Sequence, residues 1–137
     1  MAWLLDTNII SEVRKGDRCA DRVRDWYYAQ DEDDFYLSVL VLGEVRLGIE
    51  NVRGRDLPKA RGLERWLHQV EVAFGPRILP ITAEICDLWG RLSIRQRMPA
   101  IDGFHAATAI HHRLTLVTHN KADVTRSGVD CFDPFVD

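Results

Sequence analysis

The sequence predicts an α/β protein built on a parallel β-sheet. Short apolar segments rich in β-formers alternate with longer segments in which apolar residues recur at helical spacing. That alternation is typical of βαβ units. The strand candidates are nearly continuous apolar runs, as expected where helices cover both faces of a sheet. A length of 137 residues suits one domain, residues 1–137, with a sizeable core.

The N-terminal half is predicted to contain two strands and four helices. Apolar Trp3-Leu4-Leu5 forms a first strand that ends at Asp6. Helical periodicity from Val13 to Gln30 is interrupted at Lys15-Gly16, so we expect a short helix and then a longer one. An acidic loop at 31–34 then leads to a second strand at 35–39. Two further helices are expected at 41–52 and 58–74, with Pro58 in the first turn of the second.

The C-terminal half is predicted to contain three strands and two helices. Pro80 places the third strand at a sheet edge or at its own end. Thr82 is a suitable N-cap for the next helix. In the last helix we expect Ile101, Phe104, Ala107 or Thr108, and Ile110 to face the core. The expected elements are strands at 77–81, 114–118 and 129–132, helices at 82–97 and 100–113, and a loop with one helical turn at 119–128.

Composition excludes several classes of protein. The chain is 46% hydrophobic and 28% charged, which is typical of a globular protein, and no apolar run is long enough to span a bilayer. The N-terminus shows no signal-peptide pattern, so we expect a cytoplasmic location. Cys19, Cys86 and Cys131 are scattered, which argues against a disulfide framework or a zinc site and favours buried free thiols.

A net charge of −3 argues mildly against nucleic-acid binding, which usually requires a basic excess. Net charge hides distribution, however. Arginine and lysine recur at 46–65 and at 91–97, whereas acidic residues concentrate at 31–34. The basic runs are compatible with a rim around an acidic centre or with ordinary solvated helix faces.

Four acidic residues, Asp6, Glu44, Asp102 and Asp123, are candidates for one site. Each has an ordinary alternative role as a helix cap, a first-turn carboxylate or a loop residue. Taken together they follow strands or begin helices on one side of the predicted sheet. The carboxyl edge of a parallel sheet is where open α/β proteins bind ligands.

Carboxylates packed together repel one another unless a cation neutralises them. Mg²⁺ or Mn²⁺ accepts such oxygen ligands and activates water for phosphodiester hydrolysis. The sequence therefore predicts a metal site, with supporting hydrogen bonds from Thr7, Asn8, Thr118 and Asn120 or with local turn roles for these four side chains.

The remaining motifs are less specific. His105 lies one helical turn after Asp102 and either orients that carboxylate or packs in the core. There is no glycine-rich phosphate loop, no G-x-S-x-G elbow and no cysteine placed as a nucleophile. These absences remove nucleotide-binding and covalent hydrolase mechanisms from the main alternatives.

Four segments give the chain a resemblance to the PIN-domain family, specifically its VapC/FitB-like toxins. They are Leu4-Leu5-Asp6-Thr7-Asn8-Ile9-Ile10-Ser11-Glu12, Leu37-Ser38 with Gly43-Glu44-Val45-Arg46-Leu47-Gly48-Ile49, Asp102-Gly103-Phe104-His105-Ala106-Ala107-Thr108-Ala109, and Leu116-Val117-Thr118-His119-Asn120-Lys121-Ala122-Asp123. The chain departs from the family pattern at His105, His119 and Val124.

This resemblance implies a three-layer fold with a central parallel sheet of about five strands. It also implies an Mg²⁺- or Mn²⁺-dependent endoribonuclease, the toxin of a type II toxin–antitoxin pair, that forms a homodimer and is inhibited by an antitoxin protein. Asp6 and Asp102 would match the principal metal ligands, with Glu44 and Asp123 completing the cluster. Thr118 and Asn120 would line the site.

Three other interpretations have weaker support. A haloacid-dehalogenase type of phosphotransferase requires a second aspartate where this chain has Asn8. A receiver domain requires an acidic pair beside the aspartate that follows the first strand. A catalytically inactive PIN-like scaffold would be expected to have lost carboxylates, and this chain retains all four. The sequence does not identify which RNA would be the substrate.

Overall fold

The structure, a computed structural model, describes residues 1–137 and confirms the α/β prediction. Five parallel strands form one sheet in the order β3-β2-β1-β4-β5. The strands are β1 (Trp3–Leu5), β2 (Phe35–Ser38), β3 (Ile78–Leu79), β4 (Thr115–Val117) and β5 (Cys131–Phe132). Strand order reverses beside β1, and the crevice at such a switch point is the usual ligand site of open α/β sheets.

Six α-helices cover the two faces of the sheet. They are α1 (Thr7–Val13), α2 (Asp21–Ala29), α3 (Val39–Arg53), α4 (Leu57–Phe74), α5 (Ala83–Arg95) and α6 (Ala100–His112). Leu5 packs against residues of α1, α3 and α4, whereas neighbouring Leu4 packs against α5 and α6. This alternation of side chains along β1 produces the predicted three layers. None of the helices is long and apolar enough to cross a membrane.

Two helices begin earlier than the sequence predicted. The first helix begins at Thr7 rather than near Val13, because Asp6 itself occupies the N-cap position. Helix α3 begins at Val39 rather than Val41, because the Ser38 hydroxyl accepts a hydrogen bond from the Leu40 amide. Glu44 consequently lies in the second turn of α3, not the first. The predicted N-cap at Thr82 and the edge position of β3 are confirmed.

The predicted core face of α6 was wrong for its large residues but correct for Ala107 and Thr108, which are buried. Ile101 is exposed, and Phe104 and Ile110 are only partly buried. The fully buried face instead carries mostly small residues, together with His105. Small side chains let α6 lie close to α5 and the sheet, so close approach rather than apolar bulk determines which face is buried.

Gly103 marks the closest approach of α5 and α6. A Cβ atom there would lie 2.8 Å from Trp89 Nε1, and the Trp89 ring stacks on Phe104 at 4.6 Å. We therefore expect Gly103→Ala to lower the free energy of unfolding by about 1–3 kcal/mol. Urea denaturation tests this prediction against the control Gly90→Ala, whose Cβ would contact nothing within 4 Å. Equal stability of the two variants would contradict it.

One further expectation is corrected, and one open alternative is decided for two arginines. Of the three free cysteines, only Cys19 is buried, and Cys86 is exposed. Arg46 and Arg53 form a network of ion pairs with Glu50 and Glu64. These two arginines therefore belong to a solvated helix face and do not form part of a rim around the carboxylates.

Candidate metal centre

Asp6 lies at the end of β1, at the centre of the sheet's carboxyl edge. Its backbone N–H donates to the Val117 carbonyl oxygen at 2.9 Å, which aligns the ends of β1 and β4. Its Oδ1 accepts from the Thr7 backbone N–H at 2.7 Å. Asp6 is thus both the N-cap of α1 and a candidate ligand, so the two roles that the sequence offered as alternatives are combined in one side chain.

Hydrogen bonds from the flanking polar residues fix the other oxygen of Asp6. The Thr118 hydroxyl donates to Oδ2 at 2.7 Å, and the Asn8 amide donates to the same atom at 3.3 Å. The Asn120 backbone N–H, rather than its side chain, contributes by donating to Thr118 Oγ1 at 3.0 Å. Thr118 therefore connects the end of β4 to the carboxylate that follows β1.

Helix α3 places Glu44 beside Asp6. Glu44 Oε1 accepts a hydrogen bond from the Thr7 hydroxyl at 2.6 Å. Thr7 therefore binds both carboxylates, Asp6 through its backbone N–H and Glu44 through its hydroxyl. His105 of α6 completes the group, with Nε2 lying 3.4 Å from Asp6 Oδ1 and 3.7 Å from Glu44 Oε1. One oxygen from each carboxylate and one histidine nitrogen all lie within 4.8 Å of one another.

Asp102 lies close enough to this group for its charge to interact with those of Asp6, Glu44 and His105, and Asp123 lies close enough to act on Asp102. Asp102 is in the first turn of α6 and is half-buried, whereas Asp123 ends a short 3₁₀ turn and is exposed. Neither carboxylate lies within 4 Å of His105. His105 therefore contacts Asp6 and Glu44, rather than Asp102 as one of the two sequence interpretations suggested.

The electrostatics differ between the carboxylates. Burial raises the pKa of Asp102 to about 6, and the negative charge of Asp6 acts in the same direction. Burial also opposes ionisation of Asp6, but His105 and Thr118 outweigh it and lower the pKa of Asp6. The contact with His105 lowers the pKa of Glu44 despite partial burial. Burial disfavours a charged His105 ring, yet Asp6 and Glu44 raise its pKa to about 9.

These residues fit a divalent cation. The set provides several carboxylate oxygens, and one of its members, Asp102, is disfavoured in its charged form when no cation is present. A buried imidazole without a hydrogen-bond partner faces the same point. Oxygen-rich sites of this type suit Mg²⁺ or Mn²⁺, and a nitrogen ligand is compatible with Mn²⁺.

The raised pKa of Asp102 predicts how Mn²⁺ affinity depends on pH. A ligating carboxylate must lose its proton, so one additional proton is displaced when binding occurs below the pKa of Asp102, about 6. If Asp102 is a ligand, we expect the slope of log Kd against pH to steepen by about one below that value, so that each pH unit of acidification weakens binding by a further factor of about ten. Calorimetric titrations across this range test the prediction, and a constant slope would contradict it.

His119 lies at the rim of the centre. Its Nδ1 is 3.0 Å from Oδ2 of buried Asp133, and its ring packs against Phe135 at 4.1 Å. Its backbone N–H donates to Asn8 Oδ1 at 3.4 Å. No local pattern in the sequence indicated the contact with Asp133. The contact of His105 with Asp6 and Glu44 was also missed, although its spacing from Asp102 placed it near the correct end of α6.

Fold and site together define a class: parallel α/β proteins with an acidic candidate metal centre at the switch point of the sheet. A model described as PIN domain matches residues 3–125. The chain belongs to the PIN domain family.

The chain is similar to several known proteins over nearly its whole length. Toxin FitB of Neisseria gonorrhoeae is 31% identical, with 98% of this chain and 99% of that protein covered. A VapC ribonuclease of Sinorhizobium fredii is 29% identical over 96% of each chain. Among solved structures, FitAcB from Neisseria gonorrhoeae aligns with a TM-score of 0.90, 30% identity, and coverage of 98% and 99%. FitAB bound to a DNA fragment aligns with a TM-score of 0.86, 29% identity, and coverage of 97% and 95%.

Proposed function

We propose that this protein is an Mg²⁺- or Mn²⁺-dependent endoribonuclease and the toxin of a type II toxin–antitoxin pair. The observation that carries the proposal is the convergence of Asp6, Glu44 and Asp102 at one end of the sheet. Membership of the PIN domain family and similarity to a protein named as a VapC ribonuclease support it.

In this mechanism the protein side chains would position the cation, and the cation would neutralise negative charge. Asp6, Glu44 and Asp102 would hold the cation, with Asp123 completing the cluster from its exposed turn. The cation would lower the pKa of a water molecule and stabilise the charge that develops on the phosphate. Thr118 and Asn8 fix the orientation of Asp6 through their hydrogen bonds to Oδ2. Thr7 does the same for Glu44.

A groove beside the candidate centre has features suited to an anionic substrate. Its volume is about 240 Å³, and Glu44 and Thr7 lie in its wall together with two basic residues, Arg14 and Lys59. The Arg14 guanidinium lies 5.6 Å from the centroid of the Trp66 ring, which restrains it beside the groove. Basic side chains supply most of the affinity of proteins for a phosphate backbone. Arg14 and Lys59 would therefore contact phosphates that flank the scissile one.

We propose two partners: a second copy of this chain, with which it would form a homodimer, and an antitoxin protein. Similarity to a protein named Toxin FitB and to FitAB bound to a DNA fragment supports the antitoxin. Size-exclusion chromatography with light scattering would test the dimer. Co-purification with the product of the adjacent reading frame would test the antitoxin.

The experiment that tests the activity incubates the purified protein with labelled RNA and with DNA of the same sequence. We expect cleavage of RNA only, in the presence of Mn²⁺ or Mg²⁺. Because water is the attacking group, the products should carry a terminal phosphate monoester and no 2′,3′-cyclic phosphate. Cyclic-phosphate products would overturn the mechanism, and intact RNA under all metal conditions would favour an inactive scaffold.

A further inference from the structure

His105 is a buried polar side chain without a hydrogen-bond partner. Its ring is 1% exposed, and neither ring nitrogen makes a hydrogen bond within the protein. Leaving such a group unsatisfied costs about 1–3 kcal/mol, so its burial requires an explanation. Its Nε2 points to the same place as the oxygens of Asp6 and Glu44.

The distances match shared coordination better than a direct ion pair. Nε2 lies 3.4 Å from Asp6 Oδ1 and 3.7 Å from Glu44 Oε1. A charge-assisted hydrogen bond between nitrogen and carboxylate oxygen is shorter, about 2.7–2.9 Å. Two ligands that each lie about 2.1 Å from one ion are separated by roughly 3.0–3.5 Å for bond angles between octahedral and tetrahedral. The distance to Asp6 falls inside this range, and the distance to Glu44 lies just above it.

We propose that His105 Nε2 is a direct metal ligand, acting with Asp6 and Glu44, and that this nitrogen gives the centre a preference for Mn²⁺ over Mg²⁺. The inference deepens the proposed function and depends on a cation being bound at this centre. Mg²⁺ prefers oxygen ligands, whereas imidazole suits first-row transition ions. A centre of carboxylates alone would not distinguish the two ions on this ground.

Pulsed electron paramagnetic resonance of Mn²⁺ bound to the full chain tests the proposal without RNA. We expect modulation from a directly coordinated ¹⁴N nucleus, which changes to the ¹⁵N pattern when only histidine is ¹⁵N-labelled. This measurement uses the unaltered protein, so it does not depend on whether a variant folds. Absence of nitrogen coupling from saturated Mn²⁺ would overturn the proposal and leave His105 as a buried cation that pairs with the two carboxylates.

A variant then tests the metal preference. His105→Leu replaces the imidazole by an apolar side chain of similar size, and the folding of this variant is checked by thermal denaturation. We expect calorimetry to show a loss of Mn²⁺ affinity of about 10–100-fold or more, because even residues that only support metal ligands have effects of that size. Mg²⁺ affinity should change much less. The matched control is His112→Ala, which removes an exposed imidazole from the same helix and should change neither affinity. An equal loss for both ions would overturn the preference.

Failure of this inference is distinguishable from failure of the proposed function. RNA cleavage by a Mn²⁺-loaded sample without nitrogen coupling would reject the histidine ligand and leave the ribonuclease standing. Nitrogen coupling in a sample that cleaves no RNA would reject the ribonuclease and keep the metal assignment.

Discussion

Replacing Asp102 by Asn is expected to abolish RNA cleavage and, at the same time, to stabilise the metal-free protein. The carboxylate would hold the cation, but burial and the charge of Asp6 raise its pKa to about 6, so ionisation is disfavoured in the folded state. At neutral pH the unfolded chain keeps this carboxylate ionised more easily than the folded chain does. Removing the charge should therefore favour folding.

The expected sizes follow from these contacts. A shift of about two pKa units corresponds to about 3 kcal/mol for a fully buried group, and we expect about 1 kcal/mol for a half-buried one. Cleavage should fall more than about 100-fold, since residues that merely support metal ligands cost about 10–100-fold. Urea denaturation without metal and initial rates with excess Mn²⁺ measure the two effects. Unchanged cleavage would contradict the assignment of Asp102.

Replacing Asp6 by Asn is expected to remove cleavage to a similar extent but to destabilise the protein. Asp6 receives hydrogen bonds from Thr7, Asn8 and Thr118, and the contact with His105 lowers its pKa. An Asn amide nitrogen at the position of Oδ2 would face the Asn8 amide, which is also a donor. The free energy of unfolding should fall by about 1–3 kcal/mol.

The opposite signs of the two stability changes distinguish this account from general damage to the site. Asp87→Asn is the matched control, because Asp87 is an exposed aspartate on α5 that pairs only with Arg91. It should change stability by less than about 1 kcal/mol and leave cleavage intact. If Asp6→Asn were as active as the unaltered protein, Asp6 would not be a ligand.

Most of the fold could be predicted from the sequence, because the signals were local. The apolar runs that became β1, β2 and β4 were recognisable as buried strands, and Thr82 and Pro58 marked helix starts correctly. The helix starts at Thr7 and Val39 were missed because strand and helix join directly there. Large residues of α6 were wrongly placed in the core because close helix packing favours small residues, which apolar periodicity does not detect.

The candidate site was predictable in part, for a physical reason. Asp6 and Asp102 had local signatures at a strand end and a helix start, and Glu44 lies one turn further into its helix than predicted, but a parallel sheet still brings these positions to one edge. The contacts of His105 with Asp6 and Glu44 were not predictable. Contacts between residues so far apart in the chain depend on the rotation and depth of α6, which packs closely on α5 where Gly103 meets Trp89. His119 and Asp133 meet just after the ends of the neighbouring strands β4 and β5, for a similarly nonlocal reason.

The most direct test of the central claim is RNA cleavage by one preparation before and after its metal is restored. The protein is stripped with a chelator, dialysed and incubated with RNA alone, and Mn²⁺ is then added to the same sample. Our account predicts intact RNA in the first interval and cleavage in the second, with Asp102→Asn inactive in both. Cleavage at full rate by the stripped protein would contradict a metal-dependent centre.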